Sequence, residues 1–119
     1  MELGDLVKRA MDIRQRYAKL EQTKYGRTWT REEIALGFVG DVGDLAKLVM
    51  AHSGVRDIPD AEAKLAHELA DCLWSILVLA HLYNVDLERE FLQTMDGLAL
   101  HIASQSKLPP DKNIQSDSL

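Results

Sequence analysis

The sequence predicts an all-α fold. Apolar residues recur at spacings of three and four through most of the 119 residues, strand-like alternation is absent, and glycine and proline are scarce inside the long periodic segments. The first helix is expected over about residues 2–24, where Leu3, Leu6, Val7, Ala10, Ile13, Tyr17 and Leu20 form one stripe and Gly26 ends the run. Thr30 followed by Glu33 is a capping-box pattern, so a second helix should start near Arg31 and stop about His52, before Gly54. A third should begin near Asp60, after Pro59, and run to about Tyr83, with Asn84 as a left-handed cap. Asp86 can cap a fourth helix reaching about Ser104. The ending KLPPDKNIQSDSL has no apolar periodicity, so residues 1–104 are expected to form one helical domain and 105–119 a flexible tail. Short connections between four helices suggest a four-helix bundle protomer.

Composition narrows the function. A length of 119 residues at 46% hydrophobic suits one modest core. The longest apolar run, LADCLWSILVLAHL, has 14 residues and contains Asp71, short of the roughly 20 that span a membrane, and MELGDLVKRAMD lacks a signal-peptide apolar region. The expected setting is the cytoplasm, with no membrane partner. The single cysteine, Cys72, offers neither a disulfide framework nor a thiolate zinc site and reads as core. A net charge of −5 argues against binding a nucleic acid polymer. Eight of the fourteen basic residues lie within residues 1–31, either as a solvated face with internal ion pairs or as groups that meet phosphate.

Two carboxylate pairs carry the chemical reading. Asp41 sits in the stripe Ile34, Phe38, Asp41, Leu45, Leu48, with Asp44 one turn on; Glu68 and Asp71 share the stripe Lys64, Glu68, Asp71, Ser75, Val78. A carboxylate in an apolar stretch needs a compensating cation. Two acid pairs on facing helices suit Mg2+, with Mn2+ as a substitute, because such ions take oxygen ligands while retaining waters and phosphate contacts. His67 points about 100° around the helix from Glu68, so no histidine or cysteine is placed for a softer metal. No GxxxxGK[ST] phosphate loop occurs. The bland alternative makes Lys64 with Glu68 and Asp44 with Lys47 ordinary surface ion pairs. Trp74 lies in the apolar run and reads as core, whereas Trp29 has no packing stripe and is a candidate to stack on a ligand ring.

The segments GFVGDVGDLAKLV and KLAHELADCLWSILVLAHLYNVDLEREFLQTMD resemble the MazG-like, all-α nucleoside triphosphate pyrophosphohydrolases, whose signature is EExxE, a spacer, then ExxD. Glu68 and Asp71 match the second half, the spacer from Asp44 to Glu68 is 23 residues, and the similarity covers roughly residues 15–97, most like the short dCTP-pyrophosphatase type. The resemblance implies Mg2+-dependent hydrolysis of a nucleoside triphosphate to the monophosphate and pyrophosphate by a homodimer or homotetramer. It makes Asp41, Asp44, Glu68 and Asp71 the metal ligands, with Glu68 and Asp71 catalytic; Lys64, which shares their stripe, is the candidate catalytic cation. Trp29 would lie near the base pocket, with Lys47 and Phe38 as further substrate-binding candidates. The chain departs from the signature where aspartates replace the first glutamates, where Gly40 stands for the leading one, and at Leu98, His101 and Ile102, where relatives carry phosphate-contacting polar residues. A second expectation is therefore a degenerate helical binding or dimerisation module that keeps the fold.

Overall fold

The computed structural model describes residues 1–106, and the expected behaviour of the segment after them lies outside that range. The described residues form four helices and no strand: α1 (Leu3–Tyr25), α2 (Arg31–His52), α3 (Ala61–Leu82) and α4 (Leu87–Gln105). The chain divides into two units, Met1–Asp86 with α1 to α3, and Leu87–Leu119 with α4.

Local chemistry sets the helix ends. Gly26 closes α1 in the left-handed region at φ 71°, its N–H donating to Gln22 O. The expected capping box starts α2: Thr30 Oγ1 accepts from the Glu33 N–H at 3.2 Å and Glu33 Oε1 accepts from the Thr30 N–H at 3.0 Å. Arg27 also pairs with Glu33 and is the main cause that pulls the Glu33 carboxyl down to about 2. A depressed acid favours the fold above its ordinary pKa of 4.5, and that contribution fades as pH falls toward 2. Thr30→Ala is expected to cost about 1 kcal/mol, within a range of roughly 0.5–2, read as a lower urea midpoint at unchanged slope.

The C-terminal ends of α2 and α3 both carry Schellman motifs. After α2, Val55 N–H donates to Met50 O at 2.9 Å and Gly54 N–H to Ala51 O at 3.1 Å, with Gly54 at φ 84°. After α3, Val85 N–H donates to Ala80 O at 2.8 Å and Asn84, at φ 56°, to His81 O at 3.1 Å. Asp60 begins α3 with its backbone in the left-handed region and its side chain making no cap bond, a backbone state that aspartate tolerates better than most residues.

Within Met1–Asp86, α3 packs against both α2 and α1. Its buried residues Cys72, Leu77 and Val78 join Ile34 and Leu48 of α2 and Ala10 of α1 in the core, as the stripes require. Trp74 is half-buried between helices: its indole N–H donates to Ala10 O at 3.1 Å and its ring meets Tyr17 edge-on at 6.0 Å. The structure corrects the α1 stripe, since Tyr17 and Leu20 are exposed while Arg14 and Glu21 are buried. Arg14 donates from Nη1 and Nη2 to the two Glu21 oxygens at 2.9 Å each, and Glu21 Oε1 also accepts from the Trp29 N–H at 3.0 Å. One buried pair thus anchors the α1–α2 connection. Further internal pairs join Asp12 to Arg9 and Arg16 and account for part of the basic first segment.

Taken by itself, α4 carries Phe91, Leu92, Met95, Leu98 and Ile102 at helical spacing, and none of its residues is buried.

Candidate metal centre

Asp41 and Asp44 project from the middle of α2, and Glu68 from the facing turn of α3. Carboxylate oxygens of these three residues lie within 4.8 Å of one another. Asp41 and Glu68 are half-buried and Asp44 is exposed. Glu68 Oε1 is closed off from solvent and has no hydrogen-bond partner. A buried acceptor without a donor costs about 1–3 kcal/mol, more when charged.

Electrostatics follow from this crowding. Burial pushes the Glu68 carboxyl above its ordinary value, and the neighbouring charges of Asp41, Asp71 and Asp44 push it the same way. The Asp41 carboxyl is likewise raised, first by burial and then by the charges of Asp71 and Asp44. The same surroundings raise the buried Cys72 thiol, with burial the largest cause. Like charges at this spacing favour protonation or a cation; hard oxygen donors without a thiolate suit a divalent ion that prefers oxygen.

Asp71 is near enough to act on both raised carboxyls, yet it stands outside the three-residue set. Its Oδ2 meets His67 Nε2 at 3.1 Å, a contact the sequence reading missed by measuring His67 against Glu68. The signal was present, because His67 and Asp71 are four residues apart and neighbours on one helix face.

Beside the carboxylates lies a shallow, open pocket of about 530 Å³ lined by Asp44, Lys47, Lys64, His67 and Glu68 together with Leu48, Ile58, Asp60 and Ala63. Lys47 and Lys64 therefore join the site, and no ion pair ties Lys47 to Asp44 or Lys64 to Glu68 among the described residues. Trp29 and Phe38 do not line this cavity. Trp29 is 47% exposed, with its ring over Gly37, where a Cβ would stand 3.9 Å from the indole. Gly37 precedes Asp41 by one turn, so the indole sits about 6 Å along α2 from the acids, away from the lysines. Phe38 is half-buried.

Comparison of the chain with family models, curated proteins and solved structures returns no match.

Proposed function

We propose that this chain is a Mg2+-dependent nucleotide pyrophosphohydrolase, converting a (deoxy)nucleoside triphosphate to the monophosphate and pyrophosphate, as the protomer of a MazG-like helical homodimer or homotetramer in the cytoplasm. The observation that carries the reading is the convergence of Asp41, Asp44 and Glu68 around an orphaned, buried Glu68 oxygen. These three residues would hold Mg2+ or Mn2+, with Asp71 beside them. When bound, such an ion neutralises phosphate charge and lowers the pKa of a coordinated water.

The chain's own groups suit the rest of the task. Lys47 and Lys64 bring two unpaired ammonium groups to the cavity next to the acids, where a phosphate chain would meet them. Lys64 is the first to test as a catalytic cation, because it shares a helix face with Glu68. Trp29 leaves about half its surface open on the other side of the acids, as a base-stacking ring requires. His67 stands beside the Asp71 carboxylate at 3.1 Å.

The alternative, a binding module without turnover, draws support from the same His67–Asp71 contact, which leaves only three carboxylates converged, two of them the short aspartates. Chromatography of a panel of (d)NTPs incubated with Mg2+ or Mn2+ separates the two. Monophosphate and pyrophosphate in equal amounts, absent with Glu68→Gln, are expected; no cleavage of any nucleotide with either ion favours the module.

A further inference from the structure

The connection between α1 and α2, residues 26–30, ends in two peptide N–H groups, each taken by a carboxylate that has an arginine of its own. Glu21 Oε1 accepts from the Trp29 N–H at 3.0 Å, and Arg14, which holds both Glu21 oxygens, also donates from Nη2 to Trp29 O at 3.5 Å. Glu33 Oε1 accepts from the Thr30 N–H at 3.0 Å, and Arg27 holds Glu33. Both polar groups of the Trp29 backbone therefore end on one buried ion pair. Its side chain is left open. The indole rests over Gly37 with 47% of the residue exposed, and its N–H has no hydrogen-bond partner among the described residues, whereas that of Trp74 donates to Ala10 O.

We propose that Arg14 and Glu21 are positioning residues: their buried pair fixes Trp29 so that the open face of its indole receives the planar base of a nucleotide. A buried ion pair adds little stability over two well-packed apolar side chains, so its distinctive contribution is a set of donors and acceptors at fixed points. Here those points are the Trp29 N–H and carbonyl. A tryptophan side chain has only two torsions, so with its main chain tied and its ring against the bare backbone of Gly37, little freedom remains to be lost when a ligand stacks. The surroundings select the kind of ligand. In GRTWTREE, residues 26–33, Trp29 is the one large apolar side chain, so a protein partner would meet a lone ring and no apolar patch. A single planar ring suits it better. Asp41 lies one turn beyond Gly37 on α2, and Lys47 about 15 Å beyond it, the order in which a nucleotide sets its phosphates apart from its base.

This inference rests on the nucleotide reading above for the identity of the stacked ring, but its test uses no turnover. Deoxynucleoside monophosphates of the four bases are titrated into the full chain with Mg2+ while tryptophan emission is followed, and Trp29→Phe identifies the part of the quenching that belongs to Trp29. At least one base is expected to quench Trp29 saturably in the wild type. Arg14→Leu/Glu21→Leu, which leaves no buried charge, should weaken that binding about fivefold or more, with far-UV circular dichroism and Mn2+ uptake as in the wild type. If the leucine pair loses helicity, Arg14→Met/Glu21→Met replaces it. A folded double variant that binds the base as tightly as the wild type would overturn the positioning role and leave the nucleotide reading standing. Absence of Trp29 quenching with every base would overturn the stacking itself. Quenching that weakens in the double variant, in a chain that cleaves no triphosphate, would uphold the positioning role and remove only the hydrolase.

Discussion

Glu68→Gln is expected to raise the melting temperature of the protein in chelator at neutral pH, and to abolish the rise that Mg2+ or Mn2+ produces in the wild type. Glu68 combines a buried, unpartnered oxygen with three neighbouring carboxylates, and burial is the largest cause of its raised pKa. An acid whose pKa is higher in the folded state binds more protons folded than unfolded. Stability then declines as pH rises from the ordinary value of 4.5 through the folded value, and the deficit is complete above it. Asp41 adds a deficit of the same sign, beginning at its ordinary 3.8. Glutamine keeps the shape and removes the charge, so the variant's melting temperature in chelator should fall less between pH 5 and 7 than that of the wild type. The gain should be on the order of 1 kcal/mol and comes from the charge alone, because the amide still leaves a polar atom at the buried position. At a hundredfold excess over its Kd, a cation bound only to the folded wild type should add about 2.7 kcal/mol. Differential scanning fluorimetry across pH, with and without ions, measures both. A variant less stable than wild type in chelator would mean that the Glu68 charge has a partner the account lacks.

Arg14→Ala is expected to destabilise the fold by about 3–5 kcal/mol, a large part of the total for a domain of this size. The pair with Glu21 is buried and bidentate, and removing the guanidinium strands a carboxylate that then answers only to the Trp29 N–H. The Arg14 hydrogen bond is the largest cause of the lowered Glu21 pKa. That stabilisation is present above the ordinary 4.5 and is lost as pH falls through the folded value, so wild-type stability should fall in acid more steeply than that of Arg14→Leu/Glu21→Leu. The double variant should also be less damaged than either single one, because two apolar side chains leave no buried charge. Urea denaturation followed by tryptophan fluorescence reports both the global loss and the release of Trp29. An Arg14→Ala chain within about 0.5 kcal/mol of wild type would show the pair to be dispensable.

These two sites also mark where sequence reading succeeds and where it stops. Helix ends were legible because Gly26, Thr30 with Glu33, Gly54 and Asn84 act through short-range backbone chemistry, and each takes the expected conformation or bond. Three of the four acids converge because a stripe position on each of two antiparallel helices is enough to bring them together. Arg14 and Glu21 escaped notice because charge usually signals solvent, although they lie two turns apart on the face that holds Ala10. Asp71 was assigned by its spacing from Glu68, whereas a rival at the equally favourable i, i+4 spacing, His67, takes its oxygen. The position of Trp29 depends on a connection held by tertiary hydrogen bonds, which no periodicity encodes.

The most direct test of the central claim, that the carboxylates of α2 and α3 form a divalent cation site, is titration of the full chain with Mn2+ while free Mn2+ is followed by electron paramagnetic resonance. Saturable uptake of at least one Mn2+ per chain, displaced by excess Mg2+ and lost in Glu68→Gln and Asp41→Asn, is the expected result. Uptake by the wild type no greater than by those variants would contradict the account.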